Sequence, residues 1–126
     1  MAISPDGMDI VYIAEGSAAA ERLFLKRAGS FDAAELEGTF HASAPFFSPD
    51  GRWIGYVNHE TEDIYKVLAD GGEPFKITSF NGSRGSATWA PDNTIIFEDE
   101  RVLKRIPESG GEPVILTKLK GVQGDA

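Results

Sequence analysis

The chain has 126 residues, enough for one ordinary domain, and its 41% hydrophobic content is that of a folded protein and not of a disordered tail. Twenty acidic against twelve basic residues leave a net charge of −8, which repels phosphate backbones and anionic lipid and speaks against a nucleic-acid partner or membrane contact. No apolar run approaches about eighteen residues and no basic segment precedes a short apolar one, so neither a membrane span nor a signal peptide is expected; with no cysteine there is no disulfide, thiolate nucleophile or Cys-based zinc site.

Met1-Ala2-Ile3 reads as the end of a strand, followed by the turn Ser4-Pro5-Asp6-Gly7, in which proline presets φ and glycine is free to take a positive φ. Ile10 to Ile13 is an apolar strand. Ala18 to Leu36 has good local helix propensity, but the repeat described below puts Leu23-Phe24-Leu25 in the place of a strand and Gly29-Ser30 in the place of a turn, so strand is expected there. Gly16 to Ala20 reads as an exposed loop.

The stretch from Pro45 to Thr78 is the most complete unit. Phe46 and Phe47 end a strand, Ser48-Pro49-Asp50-Gly51 is a tight turn, and Arg52 to Asn58 is β-rich. Ile64 to Leu68 is a third strand, Asp70-Gly71-Gly72 a second turn, and Pro74 to Thr78 a fourth strand whose proline marks an edge. The same order returns as the inner strand Ala87-Thr88-Trp89, the turn Ala90-Pro91-Asp92-Asn93, the strand Thr94 to Phe97 and the turn Gly110-Gly111-Glu112-Pro113.

The Pro-Asp turns recur at intervals of 44 and 42 residues, and the Gly-Gly-Glu-Pro turns repeat in phase with them. The strand after each Pro-Asp turn is apolar on both faces, which requires a sheet covered on both sides by neighbouring sheets. Four short strands in a period near 42 residues are the mark of β-propeller blades. The expected fold is all-β, with three four-stranded antiparallel blades over about 1–40, 41–82 and 83–121, a tail 122–126 leading to a next blade, and the whole forming half of a six-bladed propeller.

The wording of the unit, Phe46-Phe47-Ser48-Pro49-Asp50-Gly51-Arg52-Trp53-Ile54-Gly55-Tyr56 followed by Asp63-Ile64-Tyr65-Lys66-Val67-Leu68-Ala69-Asp70-Gly71-Gly72-Glu73-Pro74, resembles the PD40, or TolB-like, class of WD40-like propeller repeats. The third unit departs from it at Ala90 and Asn93, and the first lacks the Gly-Gly-Glu-Pro turn. The resemblance implies a propeller of six or more blades, a periplasmic or extracytoplasmic setting, and a role as the sensor part of a bacterial kinase or as the non-catalytic propeller of a prolyl-oligopeptidase-like or tricorn-like peptidase. It implies no cofactor.

Candidate chemistry is sparse. Asp6, Asp50 and Asp92 occupy matching positions and are expected to accept hydrogen bonds from their own turns, held apart by the blades. His41 falls in an inter-blade linker and His59 in a polar hairpin tip, and both read as surface histidines. Phe46, Phe47, Trp53, Tyr56, Phe75 and Trp89 read as core and not as a ligand cage. Gly82-Ser83-Arg84-Gly85-Ser86 has the wrong order for a nucleophile elbow, and no phosphate-binding loop is present. Arg84, ahead of an inner strand, and Gln123, which takes its place in the tail, are the candidate binding residues at the channel mouth.

The reading is therefore a non-catalytic binding or protein-interaction scaffold with proteins or peptides as partners; the rival is a peptidase propeller gating substrate access. Three blades cannot close a ring, and head and tail stop at nearly the same phase of the repeat. A homodimer closing one six-bladed ring is expected, with Gly121 to Ala126 leading into the strand that Met1-Ala2-Ile3 begins.

Overall fold

The computed structural model describes residues 1–16, 20–81 and 87–118. The described residues form twelve strands in three antiparallel meanders of four. The first sheet is β1 (Ala2–Ile3), β2 (Ile10–Glu15), β3 (Glu21–Lys26) and β4 (Ala34–Glu35). The second is β5 (Ala42–Phe47), β6 (Trp53–Asn58), β7 (Asp63–Leu68) and β8 (Phe75–Ser79). The third is β9 (Ala87–Trp89), β10 (Thr94–Asp99), β11 (Val102–Pro107) and β12 (Val114–Lys118). We call these sheets blades 1, 2 and 3. Glu21–Lys26 is strand despite the helix propensity around it, because its alternate side chains Leu23 and Leu25 are buried against blade 2.

Each Pro-Asp turn has the same construction. The amide of Gly7, Gly51 or Asn93 donates to the carbonyl of Ser4, Ser48 or Ala90 at 2.8, 2.9 and 3.0 Å. These three residues take φ of 77°, 74° and 65°. Asparagine tolerates the left-handed region better than other side chains do, which explains how the third turn dispenses with glycine.

The apolar strands cover one another in two cores. Between blades 1 and 2, Val11, Leu23 and Leu25 pack against Ile54, Tyr56 and Val67. Between blades 2 and 3, Val57 and Ile64 pack against Ile95, Phe97 and Ile106, with Trp89 closing the inner side. β6 faces both cores, which is why it carries no polar side chain from Trp53 to Val57. The Gly55 that interrupts its run leaves room for an aromatic ring: a Cβ there would stand 2.2 Å from the ring of Phe46, which meets Trp89 edge-on at 6.4 Å.

The alternation that buries these residues leaves the other side of blades 1 and 3 without a covering sheet among the described residues. On blade 1, Ile3, Ile10, Tyr12 and Phe24 share the outer face, with Ile3 58% exposed. On blade 3, Ile96, Leu103 and Arg105 share the outer face.

Candidate functional site

The turns that join the first two strands and the last two strands of each blade lie at one end of the stack. Between blades 1 and 2 they enclose a cleft of about 420 Å³ lined by Asp6, Asp9, Arg27, Asp50, Arg52 and Asp70 among others. Serine and the Asx-type turn set the two carboxylates in place. Ser4 Oγ donates to Asp6 Oδ1 at 2.6 Å, and Ser48 Oγ donates to Asp50 Oδ1 at 2.7 Å. The amides of Met8 and Arg52 donate to the same carboxylate oxygens at 2.9 and 3.0 Å. In blade 3 alanine replaces the serine, and Thr94 Oγ1 donates to Asp92 Oδ1 at 2.7 Å instead.

The side-chain hydroxyl in each turn, followed by a backbone amide, holds Asp6, Asp50 and Asp92 below the usual aspartate range. All three are thus turn-stabilising carboxylates, as their spacing predicts. They sit on separate blades, but Asp6 and Asp50 line the same cleft. Its charges are partly neutralised across the blades, since Arg27 reaches Asp70 at 2.6 Å and Asp9 at 3.6 Å. Asp9, Arg27 and Asp70 are the functional candidates that residue-by-residue inspection misses; only the phase of the repeat, which stacks one blade's third strand on the next blade's turn, could have found them.

At the other end of the stack the two histidines come together. His41 and His59 meet edge-on with ring centroids 5.7 Å apart. His41 Nε2 lies 2.8 Å from Glu60, and His59 Nε2 lies 2.8 Å from Glu21, which ties blade 1 to the β6–β7 hairpin. Both side chains are partly exposed, in keeping with surface histidines. Among the described residues no group of three or more His, Cys, Asp or Glu side chains is placed to hold a metal ion. None of the helix-based membrane signals arises either: among the described residues no helix is long and apolar enough to cross a membrane.

Phe46, Phe47, Trp53, Tyr56 and Trp89 pack in or against the two cores and form no cage, while Phe75 is 47% exposed. Arg84 and Gln123 lie outside the described residues.

Neither a protein-family description nor a curated protein matches the chain. Solved structures do. A structure described as TolB from Agrobacterium tumefaciens superposes over 92% of this chain and 44% of its own with a TM-score of 0.76 at 22% identity. The chain's fold is that of a β-propeller. Its blades also superpose on a chain of a nidogen/laminin complex, over 93% of this chain and 46% of that one, with a TM-score of 0.71 at 10% identity. Virginiamycin B lyase from Staphylococcus aureus matches over 94% of this chain and 40% of its own, with a TM-score of 0.65 at 18% identity. The propeller segment thus spans less than half the length of each of these proteins, and they include both an enzyme and a binding complex.

Proposed function

We propose that this propeller segment is a non-catalytic scaffold of the PD40 type that binds proteins or peptides, and that two copies assemble into one six-bladed ring. The observation that carries the reading is a repeated aromatic stack. In blade 2, Tyr56 and Tyr65 stack at 5.5 Å and 11° on the face that blade 1 covers. In blade 1, Tyr12 and Phe24 occupy the equivalent cross-strand position and stack at 5.8 Å and 18° on the bare outer face. Blade 1 therefore presents a surface built like one that a preceding blade covers.

The outer face of blade 3, with Ile96 and Leu103, is the counterpart of the face by which blade 2 covers blade 3. A second copy supplies both missing neighbours through two equivalent contacts, as a two-fold axis requires. By charge, the cleft between the Pro-Asp turns suits cationic groups on a bound protein or peptide.

Light scattering on a sizing column at micromolar concentration tests the assembly. The expected mass is twice the chain's 13.6 kDa, and a monomer overturns the reading. Assays on peptide and ester substrates test the non-catalytic part: turnover that disappears when one serine is changed to alanine would contradict it.

A further inference from the structure

The two covered blade junctions share a charge device. At the first, Arg27, just past the end of β3, donates to Asp70 in the β7–β8 turn of the next blade at 2.6 Å. At the second, Lys66 of β7 pairs with Glu108 in the β11–β12 turn of the next blade, its ammonium lying 4.5 Å from the centre of the Trp53 ring. In both junctions a cation from one blade's third strand, or from just beyond it, reaches forward to an acid in the turn of its neighbour.

Blade 3 carries the same device without a neighbour. Lys66 pairs across strands with Gly55 and Phe75; Arg105 holds the equivalent place on β11, paired with Ile96 and Val114. Arg105 is exposed on the outer face and makes no ion pair or hydrogen bond with its side chain among the described residues. It acts on Asp92 only at a distance, behind the hydrogen bonds that Thr94 gives that carboxylate.

Blade 1 has a matching acid. Its β3–β4 turn, residues 27–33, contains a single carboxylate, Asp32, which is exposed and has no ion pair among the described residues. Asp32 follows Phe31, which is 99% exposed. Lys26, a cation on the outer face of blade 1, gives its ammonium to the carbonyl of Arg27 at 3.2 Å.

We infer that the outer face of blade 3 docks blade 1 of a second copy, with Arg105 donating to Asp32 of that copy. The inference rests on the dimer reading above and names the contact that sets its register. The occupant is a second copy because neither the cation nor the acid has an ion-pair partner among the described residues, and they hold the same kinds of place, outer face of a third strand and turn before a fourth, as Lys66 and Glu108 at the covered junction. Charge pairs of this kind select partners by penalising like-charge contacts.

A charge-swap series tests it, with the dimer dissociation constant measured by sedimentation and the fold of each variant checked by circular dichroism. Arg105→Glu and Asp32→Lys are each expected to raise the dissociation constant by about tenfold or more. The double variant is expected to return to within about threefold of the wild type, since the reversed pair restores the attraction. Single variants that dimerise like the wild type, or a double variant no better than the singles, overturn the Arg105–Asp32 contact while leaving the dimer in place. A monomeric wild type overturns both.

Discussion

Trp89, Gly55 and His59 show how unequal single positions are in this chain. Trp89 is 8% exposed between blades 2 and 3, and its indole Nε1 donates to Asn93 at 3.1 Å. Trp89→Ala is expected to cost about 3–5 kcal/mol, the usual range for truncating a large buried aromatic. Gly55→Ala adds one methyl group where the Phe46 ring stands and is expected to cost about 1–3 kcal/mol. His59→Ala removes a partly exposed pair with Glu21 and is expected to stay within about 1 kcal/mol. Urea denaturation midpoints of the three variants check the ranking, and equal midpoints would refute the packing described here.

The turn carboxylates make a second prediction at the same scale. Asp6, Asp50 and Asp92 titrate lower in the folded chain than in the unfolded one, through hydrogen bonds from Ser4, Ser48 and Thr94 and from turn amides. For Asp63 and Asp99 burial acts the other way, but hydrogen bonds from Ser79 and Lys104 among others outweigh it and the shift is again downward. A depressed folded value means that stabilisation is complete above the unfolded value of about 3.9 and is lost as the pH falls through the folded values. The melting temperature should therefore hold above pH 4 and drop below it, and Ser48→Ala should flatten that drop. An unchanged melting temperature down to strong acid would show that these bonds do not form.

Among the elements, β7 is the one whose polarity looks out of place. It sits between the two cores, yet Lys66 is nearly buried, beneath Trp53 and Phe75 and against Glu108 of blade 3. Glu108→Ala leaves that ammonium without its acceptor and is expected to cost about 1–3 kcal/mol. Lys66→Met keeps the stem packed and leaves behind only a carboxylate that water already reaches, so a change within about 1 kcal/mol is expected. Thermal melts of the two single variants decide it; a Lys66→Met loss as large as that of Glu108→Ala would mean that the pair is itself stabilising.

The strand order was legible because turn chemistry repeats. Each Pro-Asp turn with its following apolar run identifies the first two strands of a blade, and each glycine pair marks the last two. Blade 1 was harder to read: between β3 and β4 the glycine pair is reduced to Gly29 in a longer turn, and local helix propensity favours a different structure. Strand prevails there because Leu23 and Leu25 gain burial against blade 2, which no local window of sequence contains.

For the molecule as a whole, stability and assembly are expected to be linked. If two copies cover the bare faces of blades 1 and 3, only the folded dimer gains that burial, and mass action makes the melting temperature depend on protein concentration. Raising the concentration about a hundredfold should raise the melting temperature by several degrees. A melting temperature that ignores concentration argues that the faces stay bare or are covered from within a longer chain.

The sequence by itself determined the fold class, the blade count and the absence of a nucleophile elbow among the residues in view. These follow from local chemistry: proline and glycine set turns, a two-faced apolar strand demands two covering sheets, and a period near 42 residues sets the blade. Tertiary structure alone decided which distant side chains meet. Asp6 shares a cleft with Asp50, His59 meets Glu21, and Lys66 reaches Glu108, because stacking blades brings together residues some tens of positions apart in the chain. The register of that stacking is set by packing across the sheets, which spacing along one strand does not encode.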